Sequence, residues 1–348
     1  MNIIIGAGLS GLLTAYRLKK EGIPFKILEA RSRIGGRINT VLGESNTPVE
    51  LGATWFHSQH LHISALLKEL NLNSFEQYMN GTVFYQPVSN EPAQAIQIPE
   101  QPPSYRINGG SSNLINTLYQ HLDKNDILLD QHVTKIEFNN NAFKVTASKI
   151  FEADKVILAI PPKLWSRKIS FHPELPKDLL NIATQTHTWM EDSIKVAITY
   201  KNDFWTIRDL SGALFSNSGP ITELYDHCNA NRSKFALCGF MNSSLKYLDK
   251  EVRKQEVMKQ LEEVFGEQAS NYLEYTECIW SNEKNTFEDT GTPIYPHQNN
   301  GNPLFRRSFY DGKLLISSSE SSPEFPGYMD GAILAGNLTA SKIIEATR

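Results

Sequence analysis

The chain has 348 residues, which predicts two domains, since one domain takes about 150 residues. Hydrophobic residues make up 40% of it and charged residues 21%, which excludes global disorder and a collagen-like repeat. The formal net charge of −4 argues against nucleic acid or an anionic membrane surface as a partner. The three cysteines, Cys228, Cys238 and Cys278, form no CxxC pair and cannot build a disulfide framework, which fits a reducing compartment.

The uncharged N-terminus is the one segment that could be mistaken for an export signal. Residues 1–16 have neither the basic start nor the small-residue cleavage site of a signal peptide. No uncharged apolar run reaches the roughly 18 residues that a membrane span needs. We therefore expect a cytoplasmic protein with no membrane span.

A strand–helix–strand unit is predicted at the start of the chain. The run Ile-Ile-Ile at residues 3–5 predicts a buried strand. The apolar residues of 9–16 recur at helical spacing, and Gly22 ends that helix. Residues 25–28 predict the second strand, and Glu29 lies at its tip.

The first turn of this unit carries the pattern Gly6-x-Gly8-x-x-Gly11. Gly6 permits the tight turn, Gly8 lets the backbone approach a pyrophosphate, and Gly11 allows close packing of helix on strand. The helix N-terminus adds unpaired N–H groups and a positive dipole end. Glu29 is placed to accept hydrogen bonds from an adenosine ribose, and an acid here favours a free 2′-hydroxyl over NADP. The unit therefore predicts dinucleotide binding.

The next residues distinguish FAD from NAD. Residues 29–37, Glu-Ala-Arg-Ser-Arg-Ile-Gly-Gly-Arg, resemble the extended FAD fingerprint of the flavin-containing amine oxidase superfamily, which includes monoamine and polyamine oxidases. Gly35 and Gly36 would bring the backbone against the pyrophosphate, and Arg33 and Arg37 would supply charge for it. The alternative, two surface arginines around a Gly-Gly turn, is disfavoured directly after an acid at the strand tip.

Four later segments resemble the same superfamily, in the same order. They are residues 50–57 (ELGATWFH), a loop at the flavin ring edge; residues 106–118, the return to the FAD domain; residues 155–162 (KVILAIPP), a buried strand ending in two prolines beside the cofactor; and residues 319–320 with 327–332, the closing flavin motif. Since they span the chain, the resemblance implies a flavoenzyme with FAD as its cofactor.

Lys195 is the implied catalytic side chain. Residues 193–200 alternate in polarity and predict a half-buried strand, with Lys195 facing away from Ile194 and Val196 as expected for a cavity wall. The resemblance implies that this lysine holds a water at flavin N5; the alternative is a solvent-facing strand lysine. It also implies that Tyr328 forms one wall of an aromatic cage for the amine.

The second wall of the cage is displaced in this sequence. Counting from Gly291, its place falls near Thr292-Pro293, and Tyr295 lies two residues later. The cysteine of covalent flavin attachment is absent from this segment, which implies non-covalent FAD.

Further elements and roles complete the expectation. Residues 127–138 and 143–146 predict strand-like segments around the turn Asn139-Asn140-Asn141, and residues 314–317 another strand. Gly327 would open a helix whose dipole faces the flavin, and residues 246–265 would form a charged, solvated covering helix. The resemblance implies that Val133 contacts the adenine, that Glu320 binds the ribityl chain and that Trp280 packs near the flavin. The alternative for Val133 is an ordinary strand valine, and the alternative for Glu320 is a solvated loop glutamate.

The resemblance thus implies a full set of site residues. Those for catalysis are Lys195, Tyr328 and Tyr295. Those for FAD binding are Gly6, Gly8, Leu9, Ser10, Gly11, Glu29, Ala30, Arg31, Gly35, Gly36, Arg37, Gly52, Ala53, Thr54, Trp55, Val133, Ala159, Pro161, Trp280, Ser319, Glu320, Gly327, Tyr328, Met329 and Ala332. No metal site is predicted, because His60 and His62 lie in a polar helix start.

The predicted fold class is α/β. A discontinuous Rossmann-like FAD-binding domain of the glutathione-reductase-2 type would take residues 1–79, 106–186 and 281–348, and a smaller α+β substrate domain 80–105 and 187–280. Family members usually carry a long helical insertion between the segments that match Trp55 and Gly109. Here only about fifty residues lie between, with five prolines in residues 87–103. That stretch predicts extended or irregular chain and a shallow, wet substrate chamber, without most of the helical insertion.

Three functions remain open. The first is an FAD-dependent amine oxidase or dehydrogenase that passes a hydride to flavin N5, with a small amine and oxygen or another electron acceptor as partners. The second is another C–H desaturation of the same superfamily, like carotenoid desaturases or protoporphyrinogen oxidases. The third is a flavin-holding scaffold without turnover, suggested by the short insertion and the incomplete cage.

Overall fold

The structure, a computed structural model, describes residues 1–88, 91–99, 101–289, 291 and 294–348. Its strands are β1 (Asn2–Ile5), β2 (Phe25–Leu28), β3 (Thr40–Leu42), β4 (Pro48–Glu50), β5 (Phe56–His57), β6 (Ser74–Glu76), β7 (Thr82–Gln86), β8 (Gln94–Ile96), β9 (Ser104–Ile107), β10 (Ile127–Leu128), β11 (Lys135–Asn139), β12 (Ala142–Thr146), β13 (Ile150–Ala153), β14 (Lys155–Leu158), β15 (Ser170–His172), β16 (Ile194–Tyr200), β17 (Leu210–Ser216), β18 (Ile221–Asp226), β19 (Phe235–Met241), β20 (Glu274–Ile279) and β21 (Leu314–Ile316). Its α-helices are α1 (Leu9–Lys20), α2 (Leu61–Glu69), α3 (Ser112–Gln120), α4 (Pro162–Lys168), α5 (Lys177–Thr184), α6 (Phe204–Ile207), α7 (Lys250–Phe265) and α8 (Met329–Glu345).

β1 lies at the centre of a five-stranded parallel sheet with the order β10-β2-β1-β14-β21. Successive side chains of a strand point to opposite faces. Ile4 accordingly packs with apolar side chains of α1, α2, α3 and α8. Ile3 and Ile5 pack with those of β11, β12 and β13. A parallel sheet covered on both faces needs apolar strands throughout, which the isoleucine run supplies. The predicted strand–helix–strand unit is confirmed as β1, α1 and β2.

β16 lies inside a second, seven-stranded sheet with the order β20-β16-β19-β18-β17-β7-β8. Apolar residues of α7, among them Val257, Leu261 and Phe265, pack against its core. All seven residues of β16 are buried. The predicted strand is therefore confirmed, but it is buried on both faces, and Lys195 does not face solvent.

The segment predicted as strand-like over residues 127–138 divides into β10 and β11, which belong to different sheets. The residues that connect β10 to β11 form backbone hydrogen bonds that explain the division. Asp130 N donates to the carbonyl of Arg31, and Gln131 N donates to the carbonyl of Glu29. These bonds, with Asp130 at a φ of 56°, turn the chain along the tip of β2. Val133 consequently lies in a loop and not in a strand. The predicted turn at Asn140 and Asn141 is confirmed, with positive φ at both residues.

Two further predictions differ in their bounds. The helix expected over 246–265 begins at Lys250, after a short 3-10 turn at Ser243–Tyr247. Its face toward the seven-stranded sheet is buried, whereas Val252 is exposed, so it is a packed element and only partly a solvated one. The proline-rich stretch contains β8, which pairs with β7 just before it, and no helix occurs among the described residues of 80–105.

Within the described ranges, no helix combines the length and apolarity that crossing a bilayer requires.

Candidate active site

A large cavity opens at the carboxyl ends of the parallel strands. Its volume is about 1130 Å³, including space open to solvent. Residues that follow β1, β2, β14 and β21 line it, because the carboxyl ends of parallel strands meet at one edge of a sheet. Small-molecule pockets usually measure roughly 300–1,000 Å³, so this cavity suits a large ligand.

The turn between β1 and α1 forms one wall of the cavity. Gly6 has a φ of 105°, which favours glycine, and a Cβ on Gly11 would lie 2.1 Å from the Gly6 carbonyl oxygen. A Cβ on Gly8, in contrast, would meet no atom within 4 Å. Gly8, Leu9 and Ser10 line the cavity, and α1 has neither a side-chain cap nor an acidic residue in its first turn. The uncapped N–H groups of this helix are therefore available to an anion.

Glu29 fixes the geometry at the tip of β2. Its carboxylate is buried and accepts hydrogen bonds from the backbone N–H of Ala7 (2.7 Å) and of Arg31 (2.9 Å). Gly35 N donates to the carbonyl of Ala7 at 2.9 Å, which holds the Gly-Gly turn against the first turn. The two glycine turns of the sequence pattern thus meet at one wall of the cavity, which Gly35 and Gly36 also line.

The arginines of the fingerprint have different partners. Arg37 donates to Glu320 (2.6 Å) and to Ser319 Oγ (2.8 Å). Arg31 reaches across to Thr286 Oγ1 and to the carboxylate of Glu283. Both line the cavity, whereas Arg33, whose pKa is lowered by burial, does not. Of the fingerprint arginines, Arg31 and Arg37 therefore bring positive charge to the cavity, which Lys168 and Lys284 also line.

These features fit an FAD molecule. The uncapped helix N-terminus and the vacant space above Gly8 suit a diphosphate. Ser318 lines the cavity, and its buried Oγ has no hydrogen-bond partner among the described residues, so a polar ligand atom would satisfy it. Val133 lines the cavity together with His132.

Lys195 is fully buried in a polar and aromatic environment. Its Nζ donates to Thr54 Oγ1 at 3.0 Å and lies 4.3 Å and 4.4 Å from the ring centres of Trp55 and Phe240. Burial lowers the pKa of this ammonium, and the neighbouring Cys238 and Glu50 act in the opposite direction. Lys195 does not itself line the large cavity, but Ala53, next to its partner Thr54, does. It is thus an enclosed lysine one residue behind the cavity wall.

Tyr328 lies at the same cavity within a group of aromatic rings. Its ring centre is 5.1 Å from that of Trp189, 5.7 Å from that of His60 and 6.3 Å from that of His297. The Tyr328 and His297 rings are within 12° of parallel. Trp189 lies 4.7 Å from His297 and also lines the cavity.

Tyr295, the expected second wall of the cage, is 80% exposed and does not reach the cavity. The ring that faces Tyr328 from this segment is His297, which adopts a φ of 62°. The predicted position Thr292-Pro293 lies outside the described residues.

Most of the residues predicted for FAD binding line the cavity. They are Gly6, Gly8, Leu9, Ser10, Glu29, Ala30, Arg31, Gly35, Gly36, Arg37, Ala53, Val133, Ala159, Pro161, Ser319, Gly327, Tyr328, Met329 and Ala332. Those that the structure does not bring to its wall are Gly11, Gly52, Thr54, Trp55, Trp280 and Glu320.

Three of the residues that do not line the cavity pack against the residues that form its wall or against their neighbours. A Cβ on Gly52 would lie 2.2 Å from the Arg37 carbonyl oxygen, and Trp280 donates its indole N–H to the carbonyl of Leu51 at 2.7 Å. Glu320 is fully buried in its ion pair with Arg37. These side chains therefore contact neighbouring protein and not the cavity itself.

Sequence reasoning missed several lining residues. Trp189 and Met190 precede the predicted strand without any periodic pattern, and Lys284 to Thr286 reach the cavity through the contact of Arg31 with their loop. Nothing in local sequence marks such contacts. For His297 a signal existed, since it is an aromatic ring two residues beyond Tyr295.

One group of ligand-type side chains occurs among the described residues, formed by His187, Glu191 and Asp192, with donor atoms within 4.8 Å of one another. The ammonium of Lys163 lies 2.7 Å from Glu191 and is buried with it. This group is therefore an ion pair beside a histidine, and a metal ion would face a positive charge there.

Comparisons with known proteins agree with this arrangement. The family model described as flavin containing amine oxidoreductase matches residues 9–104 and 99–344. Amine oxidase [flavin-containing] A of Canis lupus familiaris is 24% identical, over 99% of this chain and 85% of that protein. Putrescine oxidase of Kocuria rosea is 23% identical, over 99% and 95%.

Solved structures show the same fold. Wild-type putrescine oxidase bound to putrescine superposes with a TM-score of 0.85 at 22% identity, covering 99% of this chain and 98% of that one. Cyclohexylamine oxidase from Brevibacterium oxydans gives a TM-score of 0.85 at 19% identity, covering 99% of both chains.

A mixed α/β fold with a large cavity at the carboxyl ends of the parallel strands is typical of a dinucleotide-binding protein. The chain belongs to the flavin containing amine oxidoreductase family, whose model matches nearly its whole length. FAD is accordingly its cofactor, as the sequence predicts. The alignment with the canine enzyme spans 453 positions, more than the 348 residues of this chain, so that enzyme has residues that this chain lacks.

Proposed function

We propose that this protein carries out the oxidative deamination of a small amine, with non-covalently held FAD and with oxygen or another electron acceptor. FAD supplies the redox chemistry when bound, by accepting a hydride at N5 from the carbon next to the amine nitrogen. The observation that carries the proposal is a dinucleotide-sized cavity lined by the aromatic rings of Tyr328 and Trp189, with the enclosed Lys195 bonded to Thr54 behind its wall.

FAD would be held by three groups of residues. The N-terminus of α1 and Gly8 would bind the diphosphate, and Arg31 would balance its charge. The adenosine would extend along Glu29 and Val133, and the first turn of α8, from Tyr328 onward, would face the flavin. Cys228, Cys238 and Cys278 do not line the cavity, which supports a non-covalent complex.

The amine would lie near Tyr328 and Trp189. Aromatic faces attract a cationic amine and, when the amine is neutral, orient it by packing. Lys195, fixed by Thr54 and two aromatic faces, would hold a water beside the reacting centre and exchange protons there.

The proposal includes two domains. Every strand of the five-stranded parallel sheet falls in residues 1–79, 106–186 and 281–348, which supports a Rossmann-like FAD-binding domain of the glutathione-reductase-2 type. Every strand of the seven-stranded sheet falls in 80–105 and 187–280, which supports a substrate domain. β9 spans the proposed boundary at residue 105, so the division is better placed before Ser104.

Anaerobic stopped-flow absorbance at the flavin band tests the function. Monoamines, diamines, polyamines and amino acids are mixed with the FAD-loaded protein, and we expect at least one amine to bleach the flavin. Reduction by apolar hydrocarbons alone would instead favour a desaturase. Failure of every compound to bleach it would favour a scaffold.

Two tyrosine variants make the test specific to the cavity. Tyr328→Ala should slow bleaching or weaken the apparent affinity for the amine, because it removes a ring from the aromatic group. Tyr247→Ala removes a tyrosine that is 83% exposed and should bleach at the wild-type rate. Equal rates in both variants would place the amine elsewhere.

A further inference from the structure

Trp189 and Met190 reach the large cavity from a tight turn between α5 and β16. Glu191 N donates to the carbonyl of Thr188 at 3.0 Å, which closes a four-residue turn with Trp189 and Met190 at its centre. Met190 adopts a φ of 75°, a conformation that residues other than glycine rarely adopt. Because such a conformation persists only where its surroundings fix it, the turn needs support from elsewhere in the fold.

The support comes from Glu191 itself and from Lys163 of α4. Glu191 Oε2 accepts from the backbone N–H of Thr188 at 3.1 Å and from the Lys163 ammonium at 2.7 Å. Lys163 and Glu191 are only 2% and 4% exposed. Lys163 is the second residue of α4, and Leu164, which follows it, lines the large cavity. One carboxyl oxygen therefore ties the turn to a helix of the cavity wall.

This connection does not depend on the charge of Glu191. Burial raises the pKa of Glu191, and Lys163 and the backbone N–H of Thr188 oppose that shift. Both bonds end on Oε2, which accepts them when the carboxyl is ionised and also when a proton lies on Oε1. The contact of the turn with α4 therefore rests on the positions of three atoms, Oε2 and its two donors.

Stability alone does not explain a buried ion pair at this place. Replacing such a pair by apolar side chains of similar volume is often neutral or stabilising, because burial removes both charges from water. Hydrogen bonds differ from apolar packing in their direction, since they weaken steeply when the donor and acceptor are misaligned. A carboxyl oxygen with two fixed donors therefore defines where the turn lies, which packing alone does less sharply.

The ring that this turn carries belongs to the aromatic group at the cavity. The Trp189 ring centre lies 5.1 Å from that of Tyr328 and 4.7 Å from that of His297. A Cβ on Gly327 would lie 3.4 Å from Trp189 Cβ, so Trp189 packs directly on the chain before α8. A shift of the turn would therefore move an aromatic wall beside the first turn of α8.

We propose that Lys163 and Glu191 are positioning residues that hold Trp189 as a wall of the amine site and thereby set the affinity for the amine. Neither side chain lines the cavity, so both act through the turn. Lys163 lies in the proposed FAD-binding domain and Glu191 in the proposed substrate domain, so their bond also crosses the boundary between the two. The position of Trp189 stands on geometry alone, whereas its effect on the amine rests on the proposed function.

A crystal structure of the FAD-loaded wild-type protein tests the geometry without any variant. We expect Glu191 Oε2 within hydrogen-bond distance of both the Lys163 ammonium and the backbone N–H of Thr188. A Lys163 side chain that points away from Glu191 would overturn the proposal, whatever reaction the protein catalyses.

Fluorine NMR of the FAD-loaded protein, labelled with 5-fluorotryptophan, tests the position of Trp189. The chain has five tryptophans, and the Trp189 signal is identified by its loss in Trp189→Phe. The test variant combines Lys163→Met with Glu191→Met, because an apolar pair should preserve the fold. We expect its Trp189 signal to shift or split. Arg167→Met, which removes an exposed cation from the same helix, should leave that signal in place.

Anaerobic flavin reduction tests the effect on the amine, with an amine that bleaches the wild-type protein. In the double variant the apparent Kd for the amine should rise by about tenfold or more, because misplacing a positioned group by about 1 Å can cost up to about 10²-fold. The Kd for FAD should stay at the wild-type value, since neither side chain lines the cavity. Arg167→Met should bind the amine as the wild type does.

The same two replacements in a Trp189→Ala background separate positioning from a general structural role. They should weaken amine binding no further there, because the ring through which they act is already missing. Equal losses with and without Trp189 would overturn the proposal, as would an unchanged Trp189 signal in the double variant. If the signal moves as expected but no amine reduces the flavin, the proposed function fails and the positioning of Trp189 stands.

Discussion

Among single residues, Lys195 is a fully buried amine with a single side-chain hydrogen bond among the described residues. Its ammonium has one hydrogen-bond acceptor, Thr54 Oγ1, and two aromatic faces, those of Trp55 and Phe240. A buried charge of this kind is costly unless its surroundings favour the charged form. Cation–π contacts are worth up to about 2 kcal/mol when desolvated, so the aromatic faces offset part of that cost.

Lys195→Met should leave FAD bound and slow the flavin reaction. Methionine preserves the length and the packing against the rings, but it removes the hydrogen-bonding group beside the proposed reaction centre. Loss of one such group costs about 10²-fold in rate, and we expect a decrease of that order in reoxidation of the reduced flavin. Stopped-flow mixing of the reduced protein with oxygen, and separately with an artificial acceptor, measures it.

Lys201→Met provides the matched comparison, since Lys201 is an exposed lysine just beyond the same strand. It should reoxidise at the wild-type rate. Wild-type rates in Lys195→Met with both acceptors would assign Lys195 a structural role and strengthen the desaturase alternative.

Among the elements, the turn between β1 and α1 contains glycines that the fold requires and one glycine that the fold does not require. Gly6 and Gly11 are required by the fold, because added Cβ atoms would collide with backbone. Gly8 lies in extended backbone, with φ −75° and ψ 179°, and has open space beside it. Packing therefore does not explain its lack of a side chain, which supports the proposed diphosphate site beside it.

Gly8→Ala should consequently fold normally but bind FAD poorly. Alanine can adopt this backbone conformation. Because alanine has fewer backbone conformations than glycine in the unfolded chain, the replacement stabilises the folded state by about 0.4–1 kcal/mol. The Tm of the apoprotein should therefore stay the same or rise slightly. Its Cβ would enter the proposed diphosphate site, where crowding costs about 1–3 kcal/mol and raises the Kd for FAD by roughly 10- to 100-fold. Fluorescence titration of the apoprotein with FAD gives the Kd.

Gly11→Ala is the control for folding, since its Cβ would lie 2.1 Å from the Gly6 carbonyl oxygen. It should lower the Tm of the apoprotein strongly. An unchanged Kd in Gly8→Ala would mean that the diphosphate does not approach this turn.

An ion pair joins α1 to α2. Arg17 donates to both carboxylate oxygens of Glu69, at 2.5 and 2.7 Å. These bonds, with Lys20 nearby, lower the pKa of Glu69 to about 2. A lowered pKa means that the pair stabilises the fold above the ordinary pKa of the carboxyl and that this contribution is lost as the pH falls toward 2.

Glu69→Gln should therefore destabilise the protein at pH 7, and the difference should shrink as the pH falls toward 2. Because the pair is partly exposed, we expect a loss of about 1 kcal/mol or less at neutral pH. Differential scanning calorimetry of both proteins across this range measures it, and the Tm difference should shrink as the pH falls. A difference independent of pH would show that the glutamine acts through packing and not through charge.

The elements also show what local sequence can and cannot predict. The glycine turns, the isoleucine strand and the buried strand before Pro161 were predictable, because their conformational demands are local. The division of residues 127–138 was not, since it depends on bonds to residues 29 and 31, about a hundred positions away. Tyr295 was favoured for its position in the chain, but a turn exposes it and presents His297 instead.

At the scale of the whole molecule, the large cavity joins distant parts of the chain. Its lining comes from the N-terminal unit, from residues 131–133 and 159–169, from residues 284–286 and from the residues around the start of α8. Trp189 and Met190, which precede β16 of the seven-stranded sheet, also line the cavity. A ligand in this cavity therefore contacts both proposed domains and stabilises their arrangement together.

The stability of the protein should therefore depend on the concentration of free FAD. A ligand that binds only the folded state, at 100 times its Kd, stabilises by about 2.7 kcal/mol. For a chain of this length that corresponds to a rise in Tm of roughly 4 °C. Calorimetry of the apoprotein at increasing FAD concentrations measures the rise.

Acid precipitation of the loaded protein should release all flavin into the supernatant, because none of Cys228, Cys238 and Cys278 lines the cavity to form a thioether. A Tm that FAD leaves unchanged, or flavin that stays on the precipitated chain, would contradict reversible binding in this cavity.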